Sequence, residues 1–266
     1  MYRARVIPCL LLKNSGLVKT VGFKAPTYVG DPINTIKIFN EKEVDELIFL
    51  DIEASARGRG PLYDRIFEFA GECFMPFCYG GGIRNCGDIG KILSLGAEKV
   101  SINTQAVANP AFIAEAAREF GSQSIVVTMD VKYNLFGQPQ VFVHTKKTCL
   151  RMDPVQYAKK MEDCGAGELM IYSVDRDGTM QGYDINLLRK ITSAVSIPVI
   201  ACGGAGSARD LHKAVIAGGA SAAAAGSMFV FYGRHRAVLI NYPAEEELAV
   251  LFGDGIGINI QTAAAL

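Results

Sequence analysis

Two glycine runs follow short apolar stretches: Gly80-Gly81-Gly82, and Gly203-Gly204 after Cys202. Without a Cβ, glycine lets backbone N–H groups approach an anion closely, and a helix start just beyond adds a favourable dipole. One such pair reads equally well as a tight turn; two at matching places favour phosphate binding. Each copy has hydroxyl or amide donors one strand further on, Ser101-Ile102-Asn103-Thr104 in the first half and Gly226-Ser227 in the second. A polar turn, Asp175-Arg176-Asp177-Gly178-Thr179, adds to the second set. Two phosphate sites across one opening imply a long small-molecule substrate phosphorylated at both ends. Asp130 closes the apolar run 125–129, where a carboxylate can act as general acid or base. The plainer reading makes it a helix cap or a partner for Lys132. Arg5, Glu46, Lys99 and Glu168 sit inside apolar strand contexts. Burying charge is costly without partners, so two cations and two anions are expected to close one ring. Such a ring could also serve stability alone.

Positioning these groups requires many short strands. Continuous apolar runs recur at 6–12, 47–52, 76–79, 100–102, 125–131, 169–174, 198–201 and 222–225. Runs of this kind, with little strict alternation, suit parallel strands covered on both faces. Helix-like segments lie between them, at 31–43, 88–95, 110–120, 153–164, 184–193 and 208–217. Several open on Asp or Asn beside Pro and close near Gly, as capped helices do. Eight strands alternating with helices over 266 residues predict a single (β/α)8 barrel, and an open doubly wound sheet is the rival. The chain also repeats itself. Met75–Gly82 parallels Ile197–Gly204, followed in each copy by an Asp (Asp88, Asp210) and a Gly-Ala pair (Gly96-Ala97, Gly219-Ala220). The offset stays at about 120 residues, which reads as two fused half-barrels. The repeat sets Lys13 on Lys132 and therefore position 11 opposite Asp130, where this chain has Leu11. In a barrel the strand ends carry function, so the glycine runs, Asp130 and a further strand-end carboxylate, Asp51, share one mouth, and the charge ring lies at the strand starts.

Composition narrows the function classes. Lys and Arg number 27, as do Asp and Glu, so no basic surface suggests nucleic acid. Half of the residues are hydrophobic, but Gly, Pro or charge interrupts the apolar stretches within about ten residues, too soon to span a bilayer. The first residues lack the apolar core of a signal peptide. Seven dispersed cysteines without CxxC spacing read as reduced thiols, and the expected location is cytoplasmic. His144, His212 and His235 share no ligand-like spacing, so neither metal nor cofactor is expected. The barrel is expected over 1–253, with 254–266 a Gly/Ala-rich tail, taken as disordered and without a role.

Along about residues 3–240 the chain resembles the cyclase subunit of imidazole glycerol phosphate synthase. The resemblance rests on Arg5-Val6-Ile7-Pro8-Cys9-Leu10, Asp45-Glu46-Leu47, Gly80-Gly81-Gly82-Ile83, Lys99-Val100-Ser101-Ile102-Asn103, Phe120-Gly121-Ser122-Gln123, Gly165-Ala166-Gly167-Glu168 and Asp175-Arg176-Asp177-Gly178-Thr179. In that family the barrel docks a glutaminase on its bottom face and receives ammonia through its core. The ammonia attacks a bis-phosphorylated ribulosyl intermediate at the top. The resemblance implies that Arg5, Glu46, Lys99 and Glu168 form the gate at the ammonia entrance and that Asp130 is one of two catalytic aspartates. It makes Lys19 the catalytic lysine of a mobile loop. It also implies two phosphate sites, Gly81/Gly82/Asn103/Thr104 and Asp177/Gly178/Gly203/Gly204/Gly226/Ser227.

The departures gather at the top face. Leu11 replaces the other catalytic aspartate, Tyr172 stands where a small Thr is usual, and Cys202 where a Ser is usual. Leucine cannot transfer a proton, and a general acid or base contributes about 10²–10⁴-fold. This combination resembles a paralogous branch found with a glutaminase and a sugar amidotransferase in surface-polysaccharide pathways. The branch implies a barrel that supplies ammonia for an acetamidino sugar. The alternative is a true cyclase of histidine biosynthesis working with Asp130 alone or with Asp51. The related half-barrel isomerase needs a carboxylate at both the first and fifth strand ends, and Leu11 disfavours it.

Overall fold

A computed structural model describes residues 3–14 and 16–253; the tail 254–266 lies outside the described residues. Eight parallel strands form the barrel: β1 (Arg5–Lys13), β2 (Leu47–Asp51), β3 (Phe77–Gly80), β4 (Lys99–Ile102), β5 (Ile125–Tyr133), β6 (Glu168–Ser173), β7 (Val199–Cys202) and β8 (Ala222–Ala225). Neighbours pair in sequence order, and β1 pairs β8 with Arg5 opposite Ala222, which closes the ring. The eight apolar runs of the sequence are these eight strands. Their lack of alternation has a direct cause. On β1, Ile7, Cys9 and Leu11 face the barrel interior, whereas Val6, Leu10 and Leu12 pack against the helices, and all six are buried.

The helices that flank the barrel are α1 (Pro32–Glu41), α2 (Tyr63–Glu72), α3 (Cys86–Ser94), α4 (Ala111–Phe120), α5 (Pro154–Asp163), α6 (Ile185–Thr192), α7 (Ala208–Ile216) and α8 (Glu245–Phe252). Side-chain caps start several of them. Asp31 accepts from the Asn34 N–H, Asn85 from Asp88, Asp153 from Val155 and Gln156, and Asp184 from Leu187. Such a cap satisfies an orphan N–H and is worth about 1 kcal/mol. Among the described residues, no helix is long and apolar enough to cross a membrane.

Two antiparallel extensions rise above the barrel mouth. Strands Gly16–Val21 and Lys24–Gly30 form a hairpin that continues β1, with Leu11 opposite Val18. Pro139–Val143 folds back on the end of β5, with Val131 opposite Val141. These hairpins place side chains over the strand ends.

Candidate functional site

At the strand starts Arg5, Glu46, Lys99 and Glu168 come together. The Arg5 guanidinium bonds both glutamates through separate nitrogens, while Lys99 Nζ lies 2.9 Å from Glu168 and 3.5 Å from Glu46. The signs alternate around the ring. The glutamate side chains are 4% and 6% exposed and the cations about a fifth, so the carboxylates are buried beneath cations that reach the rim. Burial works hardest against the charge on Arg5 and Lys99, but the two glutamates outweigh it and hold both cations above their ordinary pKa. Above the ring the interior is apolar, with Ile7, Ile48, Cys78, Val126, Met170 and Ile200 packed together. Higher still, the Ser101 and Thr128 hydroxyls share a hydrogen bond of 2.5 Å.

The mouth at the strand ends is two clefts. The larger, about 910 Å³ and open to solvent, is lined by Leu11, Asp51, Gly81, Gly82, Asn103, Thr104 and Asp130, together with Ser101, Thr128, His144 and Tyr172. The smaller, about 310 Å³, is lined by Lys19, Asp177, Gly178, Gly203, Gly204, Gly226 and Ser227, with Tyr172 and Cys202. The two residue groups expected to bind phosphate are therefore each gathered, one per cleft.

The glycines answer a local steric demand as well. Gly81 and Gly203 have φ of +121° and +91°, and a Cβ there would stand 2.6 Å from the Asp51 carbonyl oxygen and 2.7 Å from that of Ser173. Glycine alone fits such crowding at positive φ.

Asp130 and Leu11, the repeat-related pair, line the same cleft. Burial, opposed by a hydrogen bond from Asn103 and reinforced by the charge of Asp177, raises the Asp130 carboxyl to about 7. A group titrating there can both give and take a proton near neutrality. Across from it, Leu11 presents only methyl groups. Asp51 lines the cleft, but its carboxylate is engaged: Oδ1 accepts from the Glu53 and Ala54 N–H groups at 3.1 Å each, and Oδ2 lies 3.0 Å from Arg59 Nη2.

Lys19 lies on the first hairpin, fully buried, with Nζ donating to the Cys9 carbonyl at 2.5 Å. Burial lowers its pKa. Asp177 receives Thr20 Oγ1 at 2.6 Å, the Phe23 N–H at 3.1 Å and the Tyr172 hydroxyl at 3.0 Å. Phe23 stands edge-on to Tyr172 with ring centroids 4.9 Å apart, and to His144 with centroids 5.8 Å apart. Phe23 and His144 had no pattern in the sequence to mark them; the only hint was Gly22, which with Phe23 takes positive φ at the hairpin turn.

Comparison with known proteins agrees with this geometry. The family model described as "Histidine biosynthesis protein" matches residues 5–236. A protein of Pseudomonas aeruginosa, provisionally named imidazole glycerol phosphate synthase subunit hisF2, is 54% identical over 250 residues, covering 94% of this chain and all of its own length. Provisionally named subunits of the same synthase from Vibrio vulnificus and Leptospira interrogans are 47% and 46% identical, covering 93% and 95% of this chain and 95% and 100% of their own. The chain belongs to the histidine biosynthesis protein family and is a cyclase-subunit-like barrel of the imidazole glycerol phosphate synthase type.

Proposed function

We propose that this barrel pairs with a glutaminase on its bottom face, takes up the ammonia released there, and delivers it to a sugar amidotransferase that makes an acetamidino sugar in the cytoplasm. One observation carries the reading: the four-charge ring at the strand starts is complete, while the cleft at the strand ends has Leu11 facing the one poised carboxyl, Asp130. A barrel that only conducts ammonia needs the first feature and not the second. The apolar interior between ring and mouth suits a small neutral molecule and excludes ammonium, because a lone charge there would be strongly disfavoured.

The second reading, a histidine-pathway cyclase, draws on the two glycine-lined clefts and on Lys19. It needs a second carboxylate. Asp51 is the other carboxylate lining the larger cleft; its Oδ1 receives two backbone N–H groups, and its Oδ2 lies in an ion pair with Arg59.

The test is reconstitution of the purified chain with its glutaminase and the sugar amidotransferase, reading glutamine-dependent amidine formation. Amidation that requires this chain, and that free ammonium restores when the chain is left out, supports ammonia delivery. Amidation at the same rate from glutamine without the barrel would sink the proposal.

A further inference from the structure

The mouth contains a wall. Tyr172 lines both clefts, and among the described residues no other does. Its hydroxyl donates to Asp177, whose carboxylate also receives Thr20 and the Phe23 N–H, and Gly22 N donates to the Asp177 carbonyl at 3.0 Å. Phe23 closes edge-on against Tyr172 at 88° and also meets the His144 ring edge-on. The hairpin tip and the end of β6 are thereby joined across the barrel opening, with Tyr172 6% exposed at the centre.

Behind the wall, the smaller cleft holds charges of both signs. Lys19 Nζ packs over the Gly226 backbone and donates to the Cys9 carbonyl. The Asp177 carboxylate lines the same cleft and is held by the Thr20, Phe23 and Tyr172 donors. Arg236 adds a roof by donating to the Gly178 carbonyl at 2.5 Å. The larger cleft stands open by contrast, with Gly81, Gly82, Asn103 and Thr104 at its rim and the Ser101 and Thr128 hydroxyls and Asp130 deeper in.

We infer that Tyr172 divides the mouth and makes this chain selective for a small organic monophosphate, seated in the larger cleft with its phosphate at Gly81, Gly82, Asn103 and Thr104 and its hydroxylated end toward Asp130. A two-ended bisphosphate cannot reach both glycine clusters past the Tyr172–Phe23 contact. This rests on the reading of Gly81, Gly82, Asn103 and Thr104 as a phosphate site. Tyr172 is on that account a specificity-determining residue and not a catalytic one.

The experiment is calorimetric titration of the full-length chain and of Tyr172→Thr and Tyr172→Phe with glycerol phosphate and with ribitol bisphosphate, with stoichiometry checked by phosphorus NMR. The natural chain should bind glycerol phosphate and should favour the bisphosphate by less than about threefold, a difference below 1 kcal/mol. Tyr172→Thr should favour the bisphosphate by about tenfold or more. Tyr172→Phe keeps the ring and should behave as the natural chain, which separates loss of the wall from loss of the fold. A tenfold bisphosphate preference in the natural chain would overturn the division while leaving the phosphate site standing. Absence of glycerol phosphate binding to the folded natural chain and both variants would overturn the phosphate reading itself, and the inference with it.

Discussion

The two ends of the barrel handle buried charge in opposite ways. At the bottom, four charges alternate in a closed ring in which every carboxylate meets two cations. At the top, the Asp130 carboxyl sits buried with no cation against it among the described residues, and burial raises it to about 7. A paired ring is costly to break yet adds little over an apolar core of the same volume. Such a ring is a feature to be accounted for by what passes or docks there. A lone buried carboxyl destabilises the fold at neutral pH, and such a group in a cleft is a candidate for proton exchange. The chain has both features, and Leu11 lines the same cleft as the second.

Breaking the ring should have the largest effect. Glu168→Gln leaves Arg5 and Lys99 each short of a partner, and it should cost about 3 kcal/mol in urea unfolding, since removing one member of a buried pair strands the rest. Equal stability of this variant and the natural chain would mean that the ring is open to water.

The top should behave in the reverse sense. Because the folded Asp130 titrates at about 7 and the unfolded carboxyl near 3.8, the stability it allows is fully present below about pH 4 and declines as pH rises to about 7. Asp130→Asn should therefore gain about 1–3 kcal/mol over the natural chain at pH 8, and the gain should vanish near pH 4. A gain independent of pH would show that burial is not what holds the proton.

A smaller effect is expected at the wall. Tyr172→Phe removes one hydrogen bond to Asp177, worth about 1 kcal/mol, and should speed amide exchange within Gly16–Val21 and Lys24–Gly30 while leaving α1 unchanged. Smallest of all, Glu245→Gln on the bottom rim breaks an ion pair with Arg3 whose carboxylate side chain is 66% exposed. It should change stability by less than about 0.5 kcal/mol, which calibrates the ring against a solvated pair on the same face.

The barrel was legible because parallel strands covered on both faces are written as unbroken apolar runs, and all eight could be read without reference to their partners. The internal repeat then placed Leu11 opposite Asp130, and both residues line one cleft. The charge ring was legible for a similar reason, since a Glu or Lys inside an apolar run has to find a partner. What could not be read was carried by the connections. The hairpin Gly16–Val21 and Lys24–Gly30 has an exposed second strand containing Pro26 and therefore no apolar run. The segments expected to be helical left out α2, whose N-cap Leu62 makes no side-chain bond and gives no start signal. The sequence also set both glycine clusters on one long substrate. It gave no sign that Phe23 would close against Tyr172 between them, because a single aromatic contact across a mouth has no period.

The most direct measurement is ammonium-driven conversion of the ribulosyl formimino substrate to imidazole glycerol phosphate by the purified chain, with the double variant Leu11→Asp/Tyr172→Thr alongside. The account predicts no turnover above background in the natural chain and measurable turnover in the double variant, which opens the wall and restores an acid–base group contributing about 10²–10⁴-fold. Sustained turnover by the natural chain, unchanged or lowered in the double variant, would contradict it.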